Sequence, residues 1–338
     1  MIQWNQSLVR KLNKLFRSKH LAISTLNKTI SVYSVLFKLL VISMILVGCS
    51  STSPSSDEKD NSSLVNPNSS EISNFPSGLQ KYYLDQMVEG SIQQLEYFVR
   101  YPSQPNKSNY PIVFYFHGNG GTAENFYYNL SEVHELIDNN NFVGIFPQGL
   151  KESWNLGEEA SKADDVAWVG EIIKTISEKS FVDSSSVYAV GISNGAGMVN
   201  KLTKESDMLK GIAPIVSQQT LALSKIKPFN SVSVFQINGD DDPLIPINGG
   251  VSKVQHQFIS AKESAENWAM HSKCSTLPAT FENVWGPYPV TALIFRNCDS
   301  NHQVRYHIVE GSGHRGNFGN FALHTAIWNF FKTFHGGD

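Results

Sequence analysis

Cysteine, long apolar runs and metal-binding motifs are all scarce in this sequence of 338 residues. Its three cysteines and ten histidines form no cluster with the spacing of a metal site, so we expect no metal and no cofactor. The glycine-rich stretch at 118–121 is not followed by Lys-Ser or Lys-Thr, which argues against a phosphate-binding loop. The apolar run at 39–47, interrupted only by Ser43, is too short for a stable membrane span.

Acidic residues are also absent from residues 1–48, where seven of the chain's 27 basic residues lie. The remainder carries 20 basic residues against all 30 acidic residues, a balance of −10. The excess of acidic residues in 49–338 argues against nucleic acid or anionic lipid as the main partner of this part of the chain. With 41% hydrophobic and 17% charged residues, the composition is that of a globular protein.

Residues 1–48 are predicted to be a bacterial lipoprotein signal peptide. A basic segment precedes the apolar run, which ends in Leu-Val-Gly-Cys-Ser at 46–50. This ending resembles a lipobox, in which the cysteine carries a diacylglyceryl group and becomes the first residue of the mature chain. Cys49 would then anchor the protein to the membrane of the cell envelope, on its periplasmic or cell-surface side. The alternatives are an ordinary secretory signal, or an anchor helix in which Cys49 is incidental.

Two further segments follow the predicted signal peptide. Residues 49–78 are rich in Ser, Asn, Pro and Asp and have almost no large apolar residues, which predicts a disordered tether. Residues 79–338 have the apolar content of a single folded domain.

Strand-like and helix-like segments alternate along this domain, which predicts a mostly parallel α/β sheet with helices on both faces. Functional residues are then expected at the carboxyl ends of the strands. The predicted strands are 95–101, 111–116, 142–146, 187–190, 212–216, 232–237, 290–295 and 306–309. The predicted helices are 124–138, 164–180, 251–271 and 321–334, with a further helix from the end of the fourth strand to about 204.

The stretch V-Y-A-V-G-I-S-N-G-A-G-M at 187–198 organises the rest of the domain. It places a Gly-x-Ser-x-Gly sequence between a strand and a helix, the context of a nucleophile elbow. Ser193 is therefore the candidate nucleophile, and a structural Gly-Ser turn is the alternative. Gly191 and Gly195 are expected because a Cβ at either position would collide with a neighbouring strand or helix.

A serine nucleophile needs a general base that is held by an acid. In α/β-hydrolases the acid and then the base follow the serine along the chain. Asp240, Asp241 and Asp242 follow a predicted strand, and Asp242, just before a proline, is the candidate acid. His314, in a glycine-rich loop between the last strand and the last helix, is the candidate base. Other histidines in this part of the chain fit worse and are interpreted as structural or solvated: His302, His307 and His324.

A tetrahedral intermediate also needs an oxyanion hole. The backbone N–H of Asn194, just after the nucleophile, is one candidate donor, and the N–H of Asn119 in the glycine-rich loop is the second. His117 is interpreted as a residue that fixes this loop. Trp154, in a loop after a strand, is a candidate substrate-binding residue, with a plain packing role as the alternative. The pair Asp164-Asp165 is interpreted as a helix N-cap, with metal binding as the alternative.

If Cys49 carries lipid, Cys274 and Cys298 are left as an even pair in an exported protein. We expect them to form a disulfide, with two free buried thiols as the alternative.

Several of these motifs occur together in an order that resembles the polyhydroxybutyrate depolymerase and feruloyl esterase-like group of α/β-hydrolases. The resemblance covers roughly residues 90–334 and implies a secreted serine ester hydrolase in which Ser193, Asp242 and His314 match the family triad. It also implies the Cys274–Cys298 bridge. The chain departs from the group at Asn119, where the depolymerases commonly have Cys, and after His314, where Trp-Pro-Gly is common. The matching motifs are His117-Gly118, 147–149 with Trp154, 164–166, 182–183, 191–195, 238–246 and 313–314.

The sequence thus predicts a lipid-anchored serine carboxylic ester hydrolase. The resemblance implies that it forms an acyl-enzyme on feruloyl- or acetyl-polysaccharide or hydroxyalkanoate esters. A serine peptidase of the same fold and a non-catalytic surface-binding lipoprotein are the alternatives. An intact order of serine, acid and base argues against the non-catalytic alternative.

Lipidation can be tested in a bacterial host that is fed labelled palmitate. We expect the wild-type chain to incorporate the label and a Cys49→Ser variant to lack it, because the thioether bond needs the thiol. Cys274→Ser serves as the control and should retain the label. An unlabelled wild type would contradict the lipoprotein prediction.

Overall fold

The computed structural model describes residues 78–106, 109–253 and 255–334. The predicted signal peptide, Cys49 and all of the predicted tether except Gly78 lie outside these residues. Gly78 already begins the first strand, one residue before the predicted start of the domain.

Ten of the twelve described strands form one sheet, and the other two form a short hairpin. In the order of the large sheet, the strands run β1-β2-β4-β3-β5-β6-β7-β12-β11-β10. The strands are β1 (Gly78–Val88), β2 (Ser91–Tyr101), β3 (Tyr110–Phe116), β4 (Val143–Pro147), β5 (Val182–Ile192), β6 (Gly211–Ile215), β7 (Ser233–Gly239), β8 (Gly250–Val251), β9 (Gln257–Phe258), β10 (Ala279–Trp285), β11 (Tyr288–Phe295) and β12 (Val304–Val309).

Along the chain, six of the seven described α-helices lie between strands, and the last one follows the final strand. The described α-helices are α1 (Ala123–Tyr128), α2 (Ser131–Asp138), α3 (Asp165–Ser177), α4 (Asn194–Glu205), α5 (Leu221–Ser224), α6 (Ala261–His271) and α7 (Leu323–Lys332). Two short 3₁₀ turns, Leu150–Glu152 and Asp299–Asn301, follow β4 and β11.

The six central strands, from β4 to β12 in the sheet order, pair in parallel. The outer strands β1, β2, β10 and β11 pair antiparallel with their neighbours. Central parallel strands need apolar residues on both faces, and all seven residues of β3 are buried accordingly. This arrangement confirms the predicted α/β class and its mostly parallel sheet.

Alternate residues of the central strands belong to two separate hydrophobic cores, one on each face of the sheet. Ile112 and Phe114 of β3 belong to one core, together with residues of α3, α4 and α6, whereas Val113 and Tyr115 belong to the other, together with residues of α1, α2 and α7. Because successive side chains of a strand point to opposite faces, the helices cover both sides of the sheet, as predicted.

Two predicted helices are wrong in part. The segment predicted as one helix at 124–138 is two helices, α1 and α2, separated at Asn129 and Leu130. The segment at 251–271 is helical only from Ala261, because Ser260 and Glu263 form a capping box that starts the helix there. Its first part instead contributes the hairpin β8–β9.

Strands β1 and β10 have no counterpart among the predicted elements. Both lie at edges of the sheet, and most of their residues are exposed or half-buried. Edge strands therefore lack the continuous apolar run that identifies the central strands.

Cys274 and Cys298 form a disulfide, which confirms the predicted bridge. It joins the residues before β10 to those after β11 and so closes the base of this hairpin. Among the described helices, none is long and apolar enough to cross a membrane.

Removing the bridge should destabilise the domain, because the unfolded chain regains the entropy of an open 24-residue loop. We expect Cys274→Ser/Cys298→Ser to lower the free energy of unfolding by about 3 kcal/mol in the chain-entropy model. Urea unfolding followed by tryptophan fluorescence measures this difference, and reduced wild-type protein is the control. Equal stability of the oxidised wild type and the double variant would contradict the expectation.

Candidate active site

Ser193 lies at a strained turn between β5 and α4. Its φ of 56° and ψ of −117° are unusual for a residue with a side chain. A Cβ added to Gly191 would lie 2.1 Å from the Gly195 oxygen, and one added to Gly195 would lie 2.2 Å from the Phe116 oxygen. Only glycine fits at either position, so the geometry is that of a nucleophile elbow.

The structure brings Ser193, His314 and Asp242 together in one hydrogen-bonded chain. Nε2 of His314 lies 2.8 Å from Oγ of Ser193. Nδ1 of His314 lies 2.7 Å from Oδ2 of Asp242. With Nδ1–H donated to the carboxylate, Nε2 is left as the acceptor for the serine proton. This is the arrangement of a serine hydrolase triad, and the catalytic role of the three residues stays a prediction.

The neighbouring carboxylates do not compete with Asp242 for the imidazole. The side chain of Asp242 is 2% exposed, and its second oxygen accepts hydrogen bonds from the Leu244 and Ile245 N–H groups. Asp240 and Asp241 are exposed, and Asp240 accepts instead from the Gly311 N–H.

The remaining histidines named from the sequence are engaged away from the serine. His302 bonds the Ser233 hydroxyl, and Nδ1 of His307 lies 3.3 Å from the Gln236 carbonyl. Burial lowers the pKa of His307 to about 3 and that of His324 to about 4. These environments agree with the structural interpretation of all three.

The two predicted oxyanion donors line the same cavity as Ser193. Within the described part of the chain, neither the Asn119 N–H nor the Asn194 N–H donates to a protein acceptor. The loop passes close to the nucleophile, since a Cβ at Gly118 would lie 3.4 Å from that of Ser193, in van der Waals contact. Both groups are therefore available to an oxyanion, which is the role predicted for them.

His117 fixes the loop that carries Asn119. Its Nε2 accepts from the Gly149 N–H at 3.1 Å, so Nδ1 carries the proton and donates to the Gly118 carbonyl at 2.8 Å. Burial lowers the pKa of His117, which favours this neutral form. The loop-fixing interpretation agrees with these contacts.

The prediction that Trp154 binds substrate is wrong. Its side chain is fully buried, is absent from the cavity lining, and donates from Nε1 to the His117 carbonyl at 2.8 Å. Its backbone N–H and carbonyl hold the Asn194 side chain, at 2.7 and 3.1 Å. Trp154 thus has the packing role, and it ties both predicted oxyanion loops together.

The cavity beside Ser193 has a volume of about 490 Å³. Leu156, Ile245 and Phe258 form apolar parts of its lining, and this volume is typical of small-molecule sites. The lining also includes four ionisable residues that sequence reasoning missed: Lys151, Glu158, Glu159 and His256.

Glu159 and His256 form a nearly buried pair, with Nε2 of His256 2.6 Å from Oε1 of Glu159. The same carboxylate accepts from the Asn194 side chain and from the Leu156 N–H. Burial acts to raise the pKa of Glu159, but the hydrogen bonds from His256 and from the Leu156 N–H lower it overall. The residues are 97 positions apart and belong to no motif, so no sequence signal could have paired them.

The aspartates at 164–165 have separate roles. Asp164 caps α3 by accepting from the Ala167 N–H, which confirms the capping interpretation for this residue. Asp165 is buried and accepts from the Asn155 N–H, and burial raises its pKa to about 7. Among residues 78–106, 109–253 and 255–334, no group of three or more His, Cys, Asp or Glu is placed to hold a metal ion.

The fold and the site together are those of an α/β-hydrolase with a serine nucleophile elbow. The chain is 26% identical over 236 residues to feruloyl esterase B of Piromyces equi, covering 66% of this chain and 42% of that protein. It is 24% identical over 272 residues to a probable feruloyl esterase C of Aspergillus terreus, covering 71% and 85% of the two chains. No protein-family model matches the chain.

Among solved structures, an acetyl xylan esterase from Aspergillus awamori matches with a TM-score of 0.54 and 15% identity. The match covers 76% of this chain and 99% of that one, and it confirms the α/β-hydrolase fold. The curated relatives support the predicted resemblance to the feruloyl esterase-like group. The chain spans about two fifths of the length of two of these relatives, feruloyl esterase B and a putative esterase of Nocardia uniformis.

The triad geometry predicts that Asp242→Asn disables Ser193 while leaving the fold intact. The amide would present an N–H to Nδ1 of His314, which forces the wrong imidazole tautomer. We expect labelling of Ser193 by a fluorophosphonate to slow by about 10³-fold or more. Asp241→Asn is the matched control and should label at the wild-type rate. Wild-type labelling of the Asp242 variant would contradict the assignment of the acid.

Proposed function

We propose that this chain is a serine carboxylic ester hydrolase. The observation that carries the proposal is the hydrogen-bonded chain from Asp242 through His314 to a Ser193 strained at a nucleophile elbow. A structural turn needs neither the strain nor the buried carboxylate behind the histidine, whereas nucleophilic catalysis uses both. The names of the relatives, feruloyl esterases and a putative esterase, support ester rather than amide substrates.

The proposed mechanism passes through an acyl-enzyme. His314 Nε2 takes the Ser193 proton as Oγ attacks the carbonyl carbon of the ester. The N–H groups of Asn194 and Asn119 stabilise the oxyanion, and the alcohol leaves with the proton from His314. A water molecule, activated by the same imidazole, then attacks the acyl-enzyme and releases the acid and the free serine.

The proposed substrates are esters of a polysaccharide, with feruloyl or acetyl as the acyl group, or hydroxyalkanoate esters. The relatives support the feruloyl class, since their names include feruloyl esterases B and C. The apolar side chains of Leu156, Ile245 and Phe258 in the cavity are compatible with an aromatic acyl group.

The proposed location is the bacterial cell envelope, with the catalytic domain held on the periplasmic or cell-surface side by lipid on Cys49. The lipobox-like ending at 46–50 supports this proposal, and so does the disulfide, because such bridges persist in oxidising compartments.

Ester hydrolysis by the purified full-length chain tests the proposed activity. We expect turnover of p-nitrophenyl acetate and methyl ferulate, and we expect Ser193→Ala to lower kcat by about 10³-fold or more, because no nucleophile remains. Ser185→Ala, in the exposed part of β5, is the control and should keep wild-type turnover. Equal turnover by the wild type and Ser193→Ala, or none by a folded wild type, would contradict the proposal.

A further inference from the structure

The side chain of Asn194 joins the nucleophile elbow to the loop that precedes α3. Asn194 directly follows Ser193, and its Oδ1 accepts from the Trp154 N–H at 2.7 Å. Its Nδ2 donates both to the Trp154 carbonyl and to Oε1 of Glu159, each at 3.1 Å. Both hydrogens of this amide are therefore engaged, and a carboxylate accepts one of them.

These bonds act on the direction of the Asn194 N–H, which is a proposed oxyanion donor. That N–H belongs to the peptide unit between Ser193 and Asn194, so ψ of Ser193, −117°, sets its direction. Because Ser193 is strained, with a φ of 56°, it keeps this conformation only where its surroundings hold it. The Asn194 side chain supplies such a hold at the carboxyl end of the peptide unit.

Glu159 is a fixed acceptor for this amide. Its side chain is 10% exposed, and its second oxygen accepts from the Leu156 N–H at 2.8 Å. Despite burial, the pKa of Glu159 is lowered overall, so the group is charged at neutral pH. A hydrogen bond to a charged acceptor is stronger than one between neutral groups, which makes Glu159 a firm anchor for Asn194.

His256 connects this anchor to a third segment of the chain. It lies in the hairpin β8–β9, next to the start of β9, and its Nε2 is 2.6 Å from the same oxygen that Asn194 contacts. Without the carboxylate, one Asn194 hydrogen and the His256 ring nitrogen would lose their acceptor. Since buried polar groups are costly when unpaired, both side chains would move to find new partners.

We propose that Glu159 is a positioning residue for the reaction, because its hold on the Asn194 side chain keeps the Asn194 N–H directed at the oxyanion. This inference rests on the proposed function and adds to it a residue outside the triad. The printed contacts of Glu159 within the described ranges are with Leu156, Asn194 and His256, so its effect on the reaction passes through Asn194.

Steady-state hydrolysis of p-nitrophenyl acetate by the full-length chain tests the inference. We expect Glu159→Ala to lower kcat by about 10-fold, a part of the 10²–10³-fold cost of losing one oxyanion donor outright. Formation and breakdown of the acyl-enzyme both pass through an oxyanion, so both steps slow together and KM stays within about 2-fold of the wild type. Glu205→Ala, exposed at the end of α4, is the control for loss of a carboxylate and should keep the wild-type kcat.

A double-mutant cycle measures whether Glu159 acts through Asn194. Asn194→Ala removes the amide but keeps the backbone N–H, and alanine is well suited to the start of a helix. We expect this variant to lower kcat by about 10-fold as well, and Glu159→Ala to lower it by less than about 2-fold further in the Asn194→Ala background. An effect of charge or of general packing would instead multiply with the effect of Asn194→Ala.

Three results would overturn the inference. The first is a wild-type kcat in either folded single variant, and Asn194→Ala alone decides this even where Glu159→Ala does not fold. The second is a loss of about 10-fold for Glu159→Ala in the Asn194→Ala background, as expected for independent sites. The third is a change confined to KM. Each result requires an active wild type and would leave the proposed function standing, whereas a folded wild type without turnover would overturn both.

Discussion

The close approach of the backbone around Ser193 is the constraint on which the site depends. The Phe116 and Gly195 carbonyl oxygens lie where a Cβ at residues 195 and 191 would be, so β3, β5 and α4 meet with no space for a side chain. This contact holds Ser193 at positive φ and presents its Oγ to His314. The strands on either side of β5 are fully buried, and they maintain this strained backbone. Because the sheet is rigid, the Ser193 side chain stays in the orientation that nucleophilic attack requires.

A second group of contacts couples the two sides of the cavity. Trp154 donates to the His117 carbonyl with its ring and binds the Asn194 side chain with its backbone, while Glu159 reaches the same asparagine. The two proposed oxyanion donors and the Glu159–His256 pair are therefore connected through Asn194. A substitution at one of these contacts would therefore act on both loops, because the polar groups form one hydrogen-bonded network.

Much of the fold and the triad could be predicted from the sequence, since both depend on local patterns. The continuous apolar runs identify the central strands, and the glycines around Ser193, the loop at Asp242 and the loop at His314 each follow a strand. The edge strands were not predicted because exposed strands carry no apolar run, and the hairpin β8–β9 was not predicted because the helix that follows it was extended over its residues. The Glu159–His256 pair could not be predicted for a different reason. Its residues are 97 positions apart, and only the folded chain brings them into contact. The substrate-binding role predicted for Trp154 was wrong because a loop position near the site does not show whether the ring faces the cavity or the core.

The disulfide has a consequence for association between molecules. It closes the base of the hairpin that forms one margin of the ten-stranded sheet, where Phe281 and Val284 are exposed. An outer strand has unpaired backbone N–H and C=O groups, and a strand of another molecule can pair with them. Exposed apolar side chains beside these groups favour such pairing. By keeping β10 tied to β11, the bridge limits how far this margin can open. Molecules that fold before the bridge forms would thus pass through a stage in which strand exchange and aggregation compete with maturation.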